Sequence, residues 1–188
     1  MSASKDENMQ YGSYFLILFI LFSSVILNGN GDKKGTLAKD GTSFSIHAVD
    51  IEDRADGAAP FTKERKRGVL QINAAKKVNR DKWARASVVP GLKPGDYDVT
   101  LIVVLEEDGE SPYRLYVNDH LIGEKINRVV GKEENFDRTK HLFKNVNIPE
   151  GAEISIESKA VTNGKIPEGD GTAWARGRWA SLSIEEAK

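Results

Sequence analysis

Residues 88–123 read VVPGLKPGDYDVTLIVVLEEDGESPYRLYVNDHLIG, and no other stretch restricts the fold as much, because three strands and their turns can be read from it directly. Pro90, Gly91, Pro94 and Gly95 punctuate the entry. Tyr97, Val99, Leu101, Val103 and Leu105 then recur at every second residue, the period that turns one face of a strand towards a core. Asp108-Gly109 supplies a turn, residues 113–117 a second β-rich run, and Asn118-Asp119 a two-residue hairpin connection to residues 120–123. Antiparallel neighbours follow from these short connections.

The rest of the chain repeats the pattern. In residues 42–50, Phe44, Ile46 and Ala48 alternate with Ser43, Ser45 and His47. Residues 68–73, 83–89, 144–148, 152–159 and 179–184 are further short β-rich runs, the last with Trp179, Leu182 and Ile184 as its apolar positions. About nine runs separated by turn signals predict an all-β sandwich or barrel. No segment sustains an i, i+3, i+4, i+7 stripe, so little helix is expected.

Charge and composition remove several functions. Lys plus Arg number 27 and Asp plus Glu 28, so the basic footprint that binds a phosphate backbone is missing and nucleic acid is not an expected partner. The absence of cysteine excludes disulfides, thiolate nucleophiles and cysteine-ligated zinc. Tyr14 to Leu27 (YFLILFILFSSVIL) is almost wholly apolar and is followed abruptly by Asn28-Gly29-Asn30-Gly31-Asp32. A membrane-spanning helix needs roughly 20 apolar residues, whereas the core of an export signal needs about 7 to 15. Residues 1–31 are therefore expected to be a signal peptide, with an uncleaved membrane anchor and then a buried core segment as the other readings. Residues 32–188 are expected to form one β-sandwich on a secreted or cell-surface protein, meeting a membrane only through the leader.

The order of elements, with PGLKPGDYDVTLIV, the hairpin YRLYVNDHLIGE, then VNIPEGAEISIE and a final Arg-Trp strand, resembles the galactose-binding-like jelly rolls. It is most similar to the non-catalytic carbohydrate-binding modules of secreted polysaccharide-degrading systems. The resemblance covers about residues 42–184 and implies an antiparallel jelly-roll sandwich whose partner is a polysaccharide. Many such modules open with an Ile-Glu-Ala-Glu-like strand whose carboxylates hold structural calcium. The matching run here is Ile46-His47-Ala48-Val49, without either glutamate. No cofactor is expected on that basis. Asp50, Glu52, Asp53 and Asp56 follow directly, and they read either as a solvated acidic loop or as oxygen ligands for calcium.

Sugar recognition calls for an aromatic platform against C–H faces, with charged or amide groups for the hydroxyls. Residues 170–179, DGTAWARGRW, offer both. Trp174, Arg176, Arg178 and Asp170 are the expected carbohydrate contacts, and Trp83 and Tyr116 follow as further stacking residues. Were Arg176 and Arg178 on one extended strand they would share a face, and their forks would suit an acidic glycan. The opposing reading has Trp174 covering the open end of the sandwich while the arginines pair with Asp170 or Glu168. The basic run Lys63 to Arg67, continued by Lys76, Lys77 and Arg80, reads as a solvated loop that could also attract an acidic polymer.

Two rival classes use other residues. A jelly-roll polysaccharide lyase needs a His or Tyr base and a cation beside the uronate, for which His47, His120, His141, Tyr113 and Arg114 are the available parts. An adhesive domain would instead offer a flat apolar patch to another protein. No Gly-x-Ser-x-Gly elbow, phosphate loop or His-Glu-x-x-His helix is present.

Overall fold

A computed structural model of the protein describes residues 35–51 and 57–188. The expected leader at 1–31, and Glu52, Asp53 and Asp56 of the calcium reading, lie outside the described residues. Among the described residues thirteen strands run in chain order: β1 (Thr36–Leu37), β2 (Ser43–His47), β3 (Phe61–Glu64), β4 (Val69–Ile72), β5 (Trp83–Val88), β6 (Gly95–Val104), β7 (Pro112–Val117), β8 (His120–Ile126), β9 (Arg138–Ile148), β10 (Ile154–Lys159), β11 (Pro167–Glu168), β12 (Gly171–Thr172) and β13 (Trp179–Glu186). Three short 3-10 turns are the only helical pieces among the described residues.

The strands form two main antiparallel sheets, and the chain passes repeatedly from one to the other, giving a jelly-roll sandwich. In the seven-stranded sheet, β13 pairs with β2, β4 and β6; β1 extends β2, β3 extends β4, and β9 extends β6. The four-stranded sheet runs β5-β10-β7-β8, and β11-β12 is a separate hairpin. The period-two run on β6 does what its spacing requires, since Tyr97, Val99, Leu101 and Val103 are all buried. Leu182 and Ile184 of β13, Phe44 and Ile46 of β2, Ala84 and Ala86 of β5, and Ile154 and Ile156 of β10 join them in one core cluster. Alternation therefore decides which side chains fill the space between the sheets and which face out. Asn118 and Asp119 both take positive φ, 48° and 62°, as a tight primed hairpin turn requires.

Two charged segments outside the expected β-rich runs are strand. His141 lies on β9, an 11-residue strand. Lys63 and Glu64 of the basic run belong to β3, and the turn begins only after them. β8 also continues past the expected stretch to Ile126. β8 and β9 each pair on one side only, with β7 and with β6. Lysines suit such edges, where they discourage pairing with another chain, and they dilute the apolar alternation that marks a central strand.

Candidate functional site

The segment between β12 and β13 carries Trp174, Arg176 and Arg178, and its backbone is tied down on several sides. Ile72 N–H donates to the Arg176 carbonyl at 2.8 Å, Val161 N–H to the Ala175 carbonyl at 3.1 Å, and Val104 N–H to the Arg178 carbonyl at 3.0 Å. Tyr113 hydroxyl also donates to the Arg178 carbonyl at 2.9 Å. Gly177 takes φ +58°, and a Cβ there would sit 2.6 Å from Ser158 Oγ and 3.1 Å from the Lys159 carbonyl. Gly177→Ala is therefore expected to cost about 2–3 kcal/mol, combining left-handed strain with overpacking, read as a lower urea midpoint at unchanged slope.

This turn separates the two arginines. Arg176 lines a cleft of about 250 Å³ together with Ala74, Ala75, Arg80, Asp108, Glu168 and Trp174. Trp174 is half-buried and packs on the edge of the core, with the Arg80 guanidinium 5.0 Å from its ring centroid. Arg80 is itself oriented by donating from Nε to the Ala74 carbonyl at 2.8 Å. Burial pushes the Asp108 carboxyl above its ordinary value, opposed by its own backbone N–H and by Arg178 and Arg176.

Arg178 does not join them, which corrects the expectation that it faces a ligand. It is only 6% exposed, and its guanidinium pairs with the Glu106 carboxylate, which has no exposed side-chain surface. Its Nε donates to Gln71 Oε1 at 3.0 Å and lies 3.6 Å from Glu64 Oε2. Phe136, held at φ +73°, covers the guanidinium with its ring centroid 5.0 Å away. The positive φ of Gly177 breaks the extended path that would have put both arginines on one face. Asp170 lies exposed in the connection between β11 and β12, and Glu168 rather than Asp170 lines the cleft.

Trp83 and Tyr116 lie elsewhere, on the outer face of the four-stranded sheet. The register sets Trp83 opposite Lys159, Arg85 opposite Glu157, Glu157 opposite Arg114, and Tyr116 opposite Ser155. Arg114 stacks 3.9 Å from the Trp83 ring centroid, and Arg85 stacks 4.5 Å from that of Tyr116. Tyr116 hydroxyl and Arg85 Nε both donate to Glu157, at 2.9 and 3.1 Å. Trp83 thus does not line the Trp174 cleft, and it is half-buried on the sheet's outer face. Tyr113 and Tyr116 do occupy opposite faces, with Tyr113 fully buried.

The parts of a lyase do not converge. Tyr113 and His141 are neighbours, with ring centroids 5.5 Å apart, but the Tyr113 hydroxyl is enclosed and spent on the Arg178 carbonyl. His141 Nε2 lies 3.1 Å from Asn127 Oδ1, and burial, with Lys125, holds its pKa below the ordinary value. Arg114 faces out on the opposite side of its sheet from Tyr113. Among the described residues, no group of three or more His, Cys, Asp or Glu side chains is placed to hold a metal ion.

Sequence reasoning missed Glu106, and it met Arg80, Asp108 and Glu168 only as part of a basic run, as a turn residue and as a partner for the arginines. Each belongs to a turn, a charged run or a two-residue strand without periodic signal, and only the tertiary fold brings Arg80, Asp108 and Glu168 into one cleft.

No family model matches the chain. Over 104 residues, 54% of the chain, it is 29% identical to "Uncharacterized protein P23" of Formosa agariphila, and this match spans 23% of that protein's length. Among solved structures it is similar to the CBM36-1 domain of a multidomain xylanase from the hindgut metagenome of Trinervitermes trinervoides, at TM-score 0.49 and 14% identity, covering 78% of this chain and 98% of that one. It is also similar to the C-terminal CBM6 of LamC, a marine laminarinase from Zobellia galactanivorans, at TM-score 0.45 and 13% identity over 77% of this chain and 99% of that one. A third is the carbohydrate-binding module CBM6cm-2 of Cellvibrio mixtus lichenase 5A in complex with cellotriose, at TM-score 0.41 and 12% identity over 77% and 97%.

Proposed function

We propose that the cleft at Trp174 binds a sugar unit of a polysaccharide without cleaving it, on a protein exported to the cell surface or medium. The observation that carries this reading is the set of side chains sharing one small cleft: a half-buried indole, two guanidiniums and two carboxylates. Trp174 and its Arg80 cap form a wall for a pyranose face. Arg80 and Arg176 donate to ring hydroxyls, and Asp108 and Glu168 accept from them. A volume of about 250 Å³ is below the ~300–1,000 Å³ of pockets for drug-sized ligands, so it suits one ring at a time. Binding by a single domain should be weak and gain strength through multivalency.

With Arg178 withdrawn into the protein, the cleft holds two cations against two carboxylates. That balance favours a neutral, hydroxyl-rich sugar over a polyanion. An array of neutral and acidic polysaccharides, with released product assayed in the same wells, tests the reading. Trp174→Ala should weaken binding about tenfold or more through lost stacking, whereas Trp83→Ala, outside the cleft lining, should leave it unchanged. Product release would shift the case to an enzyme. Loss with Trp83→Ala instead would move the site to the sheet face. Absence of binding to every glycan would favour protein contact, for which exposed Leu121, Ile122, Ile126 and Leu142 along β8 and β9 are the apolar surface.

A further inference from the structure

Glu106 lies two residues beyond the end of β6, and its side chain has no exposed surface. Its two oxygens both accept from Arg176 N–H, each at 3.0 Å, and Oε2 also accepts from Arg178 N–H at 3.4 Å. Oε1 takes the Arg178 guanidinium. One buried carboxylate therefore gathers two backbone N–H groups and a cation from the segment that presents Trp174 and Arg176 to the cleft. Ser111 Oγ accepts from the intervening Gly177 N–H at 3.2 Å, so three consecutive amides are held from the same side.

We propose that Glu106 is the positioning residue of the cleft, and that ligand affinity at Trp174 and Arg176 depends on its carboxylate being ionised. This rests on reading the cleft as a ligand site. The groups around Glu106 are nearly all donors, namely the two amides and the Arg178 guanidinium. A proton on Glu106 turns one oxygen into a further donor among them, and one of these contacts must be given up. The Arg176 N–H, shared by both oxygens, is the contact most exposed to that competition. Burial, with a smaller push from Asp108, raises the Glu106 pKa from 4.5 to about 7 against the opposing pull of Arg178 and the two amides. The enclosed Tyr113 hydroxyl is the other titratable group that feels this charge, and Glu64 faces it through Arg178. Because ligand favours the ionised form, bound ligand lowers the Glu106 pKa by the same factor as protonation weakens binding.

The test is an amide titration of the full chain, ¹⁵N-labelled, from pH 5 to 9, with xylotriose and trigalacturonate affinities measured at both ends. The expected result is that the Arg176 and Arg178 amide shifts move together near pH 7 and that affinity for the bound probe is roughly tenfold lower at pH 5.5 than at 8.5. Glu106→Gln should abolish the amide titration and flatten the affinity profile. Amides silent across the range overturn the proposal on the parent protein alone, whether or not the variant folds. Titrating amides with an unchanged affinity overturn it as well. Titrating amides with neither probe bound at any pH would support the hold on the segment while sinking the carbohydrate reading, so the two failures are told apart.

Discussion

Arg178→Leu should destabilise the fold by about 3–5 kcal/mol at pH 8.5, because it leaves the Glu106 carboxylate buried without its cation, and by distinctly less at pH 5.5. The Glu106 pKa is raised in the folded protein, from 4.5 to about 7. A carboxyl shifted upwards binds its proton more tightly when folded, so its contribution to stability is greatest below its ordinary pKa and is lost as pH rises through about 7. Removing Arg178 removes the main group holding that pKa down, and the pH at which the proton leaves climbs further. At pH 5.5 the variant can keep Glu106 neutral, whereas at pH 8.5 it must strip the proton or hold an unpaired charge. Urea unfolding at the two pH values measures the difference. An equal loss at both would mean that the arginine acts by packing under Phe136 rather than by charge.

Trp179→Ala is the other substitution expected to cost about 3–5 kcal/mol, from lost transfer energy and the cavity left behind. Trp179 is fully buried, meets Phe61 edge-on with ring centroids 6.2 Å apart, and pairs with both Leu70 and Val103 where β13 joins β4 to β6. For a domain of this size that corresponds to a fall in Tm on the order of 10 °C. Trp179 Nε1 has no hydrogen-bond partner. Trp179→Phe, which keeps an aromatic ring and sacrifices no hydrogen bond, should therefore lose less than half as much. Calorimetry of both variants checks the pair. A larger loss for the phenylalanine would show that the indole N–H matters more than the ring.

The three tryptophans show how far local sequence reaches. Trp179 stands three residues before Leu182, off the period that Leu182 and Ile184 keep, and it is buried because β13 shifts register between Trp179 and Ser181. Trp174 stands outside any strand, and its place at the cleft depends on the turn at Gly177 and on Arg80 arriving from a distant segment. Trp83 opens β5, yet its environment comes from Arg114 on β7 and Lys159 on β10, neither of which is adjacent to β5 in sequence. The two arginines of ARGR make the same point more sharply. Two residues apart, they read as a matched pair, and a single positive φ between them sends one to the cleft and the other inside.

The sequence by itself determined the β-sandwich, the buried face of β6, the tight hairpin at Asn118-Asp119, and the exclusion of cysteine chemistry. These follow from period, turn chemistry and composition, which act over a few residues or over the whole chain at once. Only the tertiary structure decided which side chains meet: Glu106 with Arg178, Arg80 with the Trp174 ring, and Asp108 and Glu168 with Arg176 in one cleft. Those encounters depend on where strands cross between the two sheets, and charged side chains in turns carry no repeating pattern from which their partners can be read.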